Sequence, residues 1–137
     1  MRYLKYALLG VITLLVCVAY AEGAERKEFA ASIDKNGVQR VEILGGSYFF
    51  DPNYIIVKVN VPVEFRIRKE SGVAPHNFVL QASEAGMNIR ADLGTDATVI
   101  HFTPTKTGTY SFFCDKKLPF TASHKEKGME GVLKVRE

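Results

Sequence analysis

The chain has 137 residues, 47% of them hydrophobic and 24% charged, with 18 basic residues against 15 acidic ones. That length describes one domain with enough apolar content for a real core. There is no basic stripe interleaved with aromatics, so nucleic acid is not an expected partner.

The first 21 residues read as a targeting segment. Arg2 and Lys5 precede an apolar run from Tyr6 to Ala21, and the run closes on Ala19-Tyr20-Ala21, the small-x-small pattern of a signal-peptidase site. A secretory signal over 1–21 is predicted, cut before Glu22, which places the protein in the periplasm or outside the cell. The competing reading is an uncleaved membrane anchor, but the run is 16 residues, short of the roughly 20 that span a bilayer. Membrane contact is expected only if this segment stays attached. Cys17 follows Val16 rather than the small residue that normally precedes a lipidated cysteine. The remaining domain, 22–137, holds 16 basic and 15 acidic residues, so net charge says little about its partners. It keeps a single cysteine, Cys114. Exported proteins normally use cysteines in pairs, so a lone one is buried and inert, paired with another molecule, or bound to something.

After a charged lead-in over 22–30, the pattern is strand-like almost throughout. Strands are predicted at 38–44, 54–68, 76–80, 97–102, 108–114 and 131–135, each rich in Val, Ile, Phe or Tyr. Within 54–68, Val57, Val59 and Val61 share a face, Pro62 interrupts, and Val63, Phe65 and Ile67 resume the alternation of a half-buried strand. Turn signals stand at Gly45-Gly46, Asp51-Pro52-Asn53, Ser71-Gly72 and 104–108. Residues 83–94 form the one stretch with weak helical character. Six or seven short strands separated by turns predict an all-β, antiparallel sandwich or barrel. Tyr48, Phe50, Phe65, Phe102, Tyr110 and Phe112 are read as core, Met87 as packing, and His101 as a solvent-facing histidine.

Four residues then stand out. His76 opens a predicted strand, Cys114 ends another, and His124 and Met129 lie in the segment before the last strand. Loops from successive strands cluster at one end of a sandwich, so these groups can meet and form a metal site. Two imidazoles and one thiolate with a weak, long thioether contact are the donors of a mononuclear blue-copper site. Thiolate and thioether hold Cu(I), and imidazole serves both oxidation states. Zinc could occupy the first three donors but has no use for the methionine. Gly128 and Gly131 flank Met129, where positive φ or close backbone approach would call for glycine.

The segments APHNFVL, GTYSFFC and HKEKGMEGVLKV resemble those of the cupredoxins, small secreted copper proteins with a Greek-key β-sandwich. Pro75-His76-Asn77 looks like the first-ligand segment of plastocyanin-type members, and the run from His124 to Gly131 looks like their C-terminal ligand loop. The likeness extends over roughly 46–137. It implies one copper per chain, with His76, Cys114 and His124 as equatorial ligands and Met129 as the axial one. It also implies that Asn77 braces the ligand loops and donates hydrogen bonds near the cysteine sulfur. One feature departs from the family pattern: nine residues separate Cys114 from His124, where many such loops have two to four. The added length costs only about 1.3 kcal/mol in closure entropy, taking nine residues against two, but it leaves the type of copper spectrum open. It also offers a candidate docking surface, with apolar Leu118, Pro119 and Phe120 among Lys116, Lys117, Lys125 and Lys127, suited to an acidic redox protein.

The expected function is therefore that of an exported one-electron carrier and not an enzyme, since four ligands leave no open position for a substrate. The expected partner is a redox protein such as a c-type cytochrome or a membrane-bound redox enzyme, and the expected state is a monomer. A copper carrier or buffer that supplies an oxidase is the alternative. An open copper site for sensing or catalysis would follow if the long loop displaced Met129.

Overall fold

A computed structural model describes residues 24–137; the predicted leader over 1–21 lies outside them. Ten strands build the described chain: β1 (Glu28–Ala30), β2 (Gln39–Gly46), β3 (Phe49–Asp51), β4 (Tyr54–Lys58), β5 (Val63–Lys69), β6 (His76–Ala82), β7 (Met87–Leu93), β8 (Thr98–Phe102), β9 (Gly108–Phe113) and β10 (Glu130–Arg136). They form a six-stranded sheet in the order β1-β4-β10-β9-β6-β7 and a four-stranded sheet in the order β3-β2-β5-β8. Alternating apolar residues of both sheets meet in one interior, as in Val41 and Ile43 of β2, Ile55 and Val57 of β4, and Val63, Phe65 and Ile67 of β5. At its centre Phe50, Phe78 and Phe112 pack with ring centroids 5.0–5.7 Å apart. Phe65 continues the cluster to Phe102. Among the described residues no helix is long and apolar enough to cross a membrane.

The β-sandwich is the predicted class, but its sheets are mixed rather than wholly antiparallel. β1 and β10 both run parallel to β4, and β2 runs parallel to β5. The cause is the long strand expected over 54–68, which the chain divides between the two sheets. It leaves β4 through Val59–Pro62, where Asn60 takes φ 58° and its N–H donates to the Pro104 carbonyl at 2.7 Å. The weak helix expected over 83–94 is a single 3-10 turn, Ser83–Ala85, followed by β7. β7 pairs with β6 along all seven residues, from His76↔Leu93 to Ala82↔Met87. Gly45-Gly46 is not a turn but the end of β2, and the reversal is made by Ser47 and Tyr48. The charged lead-in ends in β1.

Of the residues read as core, Phe50, Phe65 and Phe112 are buried, and Phe102 and Tyr110 pack against them partly covered. Tyr48 is not core; it is partly exposed at the β2–β3 turn. Met87 is fully buried, and His101 faces solvent with Glu64 3.8 Å away.

The last hairpin decides where the sulfur groups lie. β9 and β10 pair from Val135↔Gly108 to Glu130↔Phe113. The Cys114 N–H donates to the Met129 carbonyl at 3.0 Å, so these two residues close the base of the loop that joins the strands. Gly131 lies directly opposite Phe112. A Cβ there would sit 2.3 Å from the Phe112 ring and 2.6 Å from the Asn53 carbonyl oxygen, which accepts the Val132 N–H. The missing side chain is what lets Phe112 lie flat in the core. Gly131→Ala is expected to lose about 1–3 kcal/mol through overpacking, read as a lower urea midpoint at unchanged m-value. An unchanged midpoint would contradict the close approach.

Candidate metal centre

His76 is the first residue of β6, Cys114 follows the last residue of β9, and His124 and Met129 lie in the β9–β10 loop. All four are buried although they stand at the ends of elements. The imidazoles face each other through Nδ1, 3.1 Å apart. Cys114 Sγ lies 3.5 Å from His124 Nδ1 and 4.0 Å from His76 Nδ1. Among the described residues, this is the group of histidine, cysteine and acidic side chains whose donor atoms converge as a metal site requires. Donors held about 2.0–2.3 Å from one first-row ion, about 120° apart, stand about 3.5–3.7 Å from each other. The three observed edges bracket that range, so the trio fits a single ion. Two ring nitrogens and a sulfur turned on one buried point repel through their lone pairs unless a proton or a cation lies between them.

Met129 is the register neighbour of Cys114 and turns into the interior, where its methyl group lies against Gly45; a Cβ added to Gly45 would meet it at 3.3 Å. Its thioether is a soft, weak donor.

The backbone fixes each donor. Asn77 N–H donates to Cys114 Sγ at 3.4 Å. The Asn77 side chain accepts from Asp115 N–H at 3.0 Å through Oδ1 and donates to the Asp115 carboxylate at 2.8 Å through Nδ2. Asn77 thus ties β6 to the residue that follows Cys114. Arg90 of β7 pairs with the other Asp115 oxygen at 2.6 Å. These contacts hold the Asp115 carboxyl below its ordinary range, the Asn77 hydrogen bond first and Arg90 after it.

His124 sits in a tight turn. Ser123 N–H and Oγ donate to the Glu126 carboxylate, and Glu126 N–H donates back to Ser123 Oγ at 3.2 Å, a capping box. Gly128, at φ 100°, then reverses the chain so that Met129 N–H reaches the His124 carbonyl at 2.9 Å. Both expected roles of the flanking glycines are present, positive φ at Gly128 and close approach at Gly131. Sequence reasoning missed the capping box, although Ser123-x-x-Glu126 is its signature. It also missed Arg90 and Asp115, and it misplaced Tyr48, whose ring meets the His124 ring edge-on at 5.2 Å.

Of the nine residues between Cys114 and His124, Asp115, Lys116 and Ser123 are partly covered, and 117–122 form an exposed arm. Leu118 is half exposed, and Phe120 is fully exposed at φ 60°. Pro119 and Lys117 are exposed beside them. The other lysines have partners: Lys116 with Asp92 at 2.7 Å, Lys125 over the Phe113 ring and Lys127 over the Tyr48 ring.

Burial holds both imidazoles below their ordinary pKa. His124 and Lys69 add to the effect at His76, and Lys127 adds to it at His124. The unfolded chain therefore binds protons that the metal-free fold excludes, and stability rises with pH up to the unfolded imidazole value of about 6.5. The urea midpoint of the metal-free protein is expected to fall as pH drops from about 7.5 to 5.5 through that value, and a His76→Gln/His124→Gln double variant should flatten the fall. Equal slopes in the two proteins would contradict the burial of neutral imidazoles.

The fold and the donor set define a small β-sandwich protein with one copper site. Residues 8–133 match the family model of the Cupredoxin-like domain, and the chain belongs to that family. No curated protein matches the sequence. Among solved structures, the metal-binding domain of the Cu(I)-exporting P-type ATPase CopA of Streptococcus pneumoniae D39 is similar, with a TM-score of 0.63, 21% identity, and coverage of 82% of this chain and 99% of that one. Auracyanin A, a blue copper protein of Chloroflexus aurantiacus, aligns with a TM-score of 0.53, 25% identity, and coverage of 73% and 100%. The periplasmic domain of cytochrome oxidase subunit II of Bradyrhizobium japonicum aligns with a TM-score of 0.54, 16% identity, and coverage of 72% and 83%.

Proposed function

We propose that this protein is an exported one-electron carrier in which His76, Cys114 and His124 would hold one copper, with Met129 as a fourth, weaker donor. The observation that carries this reading is the buried convergence of two Nδ1 atoms and one Sγ, 3.1–4.0 Å apart. A copper ion held there would supply Cu(I)/Cu(II) chemistry, with thiolate and thioether suited to the reduced state and imidazole to both. The protein's contribution is rigidity. Each donor is tied to backbone or packed in the core, so one arrangement serves both oxidation states. Four donors to one ion would leave no open position for a substrate. We place the working domain at 22–137, following a leader over 1–21 removed on export to the periplasm or beyond. The structural likeness to auracyanin A, a blue copper protein, supports this reading.

The partner proposed is a redox protein with an acidic face, of the c-type cytochrome or membrane-bound redox-enzyme kind. It would dock on the exposed arm, where Leu118, Pro119 and Phe120 stand among Lys116, Lys117, Lys125 and Lys127. That same arm favours a second reading. An exposed apolar segment between two ligands could open to pass copper on, and the similar ATPase domain belongs to a Cu(I) exporter.

One set of measurements separates these readings. Residues 22–137 with one equivalent of Cu(II) are expected to show an intense visible thiolate-to-copper band that is absent in Cys114→Ser. Reduction and reoxidation should then proceed with copper retained against a chelator. Lys117→Glu with Lys125→Glu should slow electron exchange with an acidic cytochrome at low salt, and an unchanged rate would remove the docking surface. No band in either protein would remove the copper site. A band followed by copper loss at each reduction would favour copper delivery.

A further inference from the structure

Tyr48 has a contact on the site that the donor set does not explain. It occupies the two-residue turn between β2 and β3 at φ 66°, a backbone region that favours glycine or asparagine and costs other residues about 1–2 kcal/mol. Its ring meets the His124 ring at 5.2 Å with an interplanar angle of 72°. Lys127, three residues beyond His124, donates from Nζ to the Tyr48 hydroxyl at 3.2 Å and lies 4.6 Å from the ring centroid. Lys127 is itself held in the ligand turn, its N–H donating to the Ser123 carbonyl at 3.1 Å. The His124 backbone is tied from within its own loop, through the Lys116 carbonyl and the Met129 N–H. The Tyr48 contact on its imidazole comes from the other sheet. Tyr48, Lys127 and Gly128 also line a surface groove of about 720 Å³.

We propose that Tyr48 is a positioning residue for the copper site: it fixes the His124 imidazole from the opposite sheet. This rests on the copper reading above for its purpose, but its geometry stands without metal. A tyrosine kept in a glycine-type backbone position indicates that local stability is given up for the ring's contact with His124, the pattern of strain found at functional sites.

The two roles, turn-former and positioner, give opposite results in Tyr48→Gly. Glycine suits φ 66°, so a turn role alone predicts a metal-free protein at least as stable, with His124 undisturbed. A positioning role predicts that the His124 ring-proton resonances of the metal-free protein lose their ring-current shift and broaden. It further predicts that Cu(I) is held about 10–100-fold less tightly in competition with a chelator, the range of affinity lost when outer groups bracing a metal ligand are removed. Tyr48→Phe should keep the resonance positions because it keeps the ring. Tyr48→Asn, which also tolerates positive φ, carries the same test if the glycine variant fails to fold. His124 resonances and copper retention both unchanged in the glycine or asparagine variant would overturn the proposal. If the wild-type protein itself shows no thiolate-to-copper band, the copper reading fails, and the metal-free resonances still decide whether Tyr48 positions His124.

Discussion

The copper-binding pole depends on a sheet ladder that stops early. β6 and β9 pair only through Leu80↔Phe112 and Val79↔Phe113. Two residues further along that register, Asn77 stands opposite Asp115, and the backbone bonds are gone. The Asn77 side chain takes their place, accepting the Asp115 N–H, while the Asn77 N–H turns to the Cys114 sulfur. A side chain that substitutes for a ladder rung holds the strands apart without leaving polar groups unpaired, and the space gained is where the donors meet. No buried side-chain nitrogen or oxygen is left without a partner among the described residues, as a rigid polar site within a core requires.

The rest of the molecule maintains that opening. β9 and β10 bring Cys114 and Met129 side by side, and the flat seat of Phe112 on Gly131 locks the hairpin to the aromatic cluster. Arg90 and Lys116 neutralise the acidic groups beside the opening by pairing with Asp115 and Asp92. The two histidines meet the Cys114 sulfur from separate supports, His76 from a strand paired with β7 along its whole length and His124 from a capped turn braced by Tyr48. The exposed arm over 117–122 can therefore stand between Cys114 and His124 without displacing His124, because the Ser123–Glu126 turn and Tyr48 hold that residue independently of it.

The donors were legible in the sequence because their chemistry is: a lone cysteine with two histidines and a methionine near strand ends has few other uses. The six strands built from Val, Ile, Phe and Tyr were legible for the same reason. β7 was not, although Met87, Ile89, Ala91 and Leu93 alternate with Asn88, Arg90 and Asp92. Its alanine and its polar partners are poor strand formers, and only pairing with β6 makes a strand of them. Because β7 was unseen, Arg90 could not be connected to Asp115. The split between β4 and β5 was hidden because Val59 and Val61 continue the alternation through the crossover, and the parallel pairings follow from that split. Tyr48 resembled core because it lies two residues before Phe50, in strand-like alternation; only the tertiary structure shows it turned to His124.

The claim at the centre is that three donors from separate elements are already in place for one copper, and X-ray absorption at the copper edge tests it most directly. Spectra of the loaded chain in its Cu(I) and Cu(II) states are predicted to show one short sulfur and two imidazole nitrogens around the metal, with nearly the same distances in both. A copper environment without the sulfur, or one whose ligand set changes between the two states, would contradict a preformed electron-transfer site.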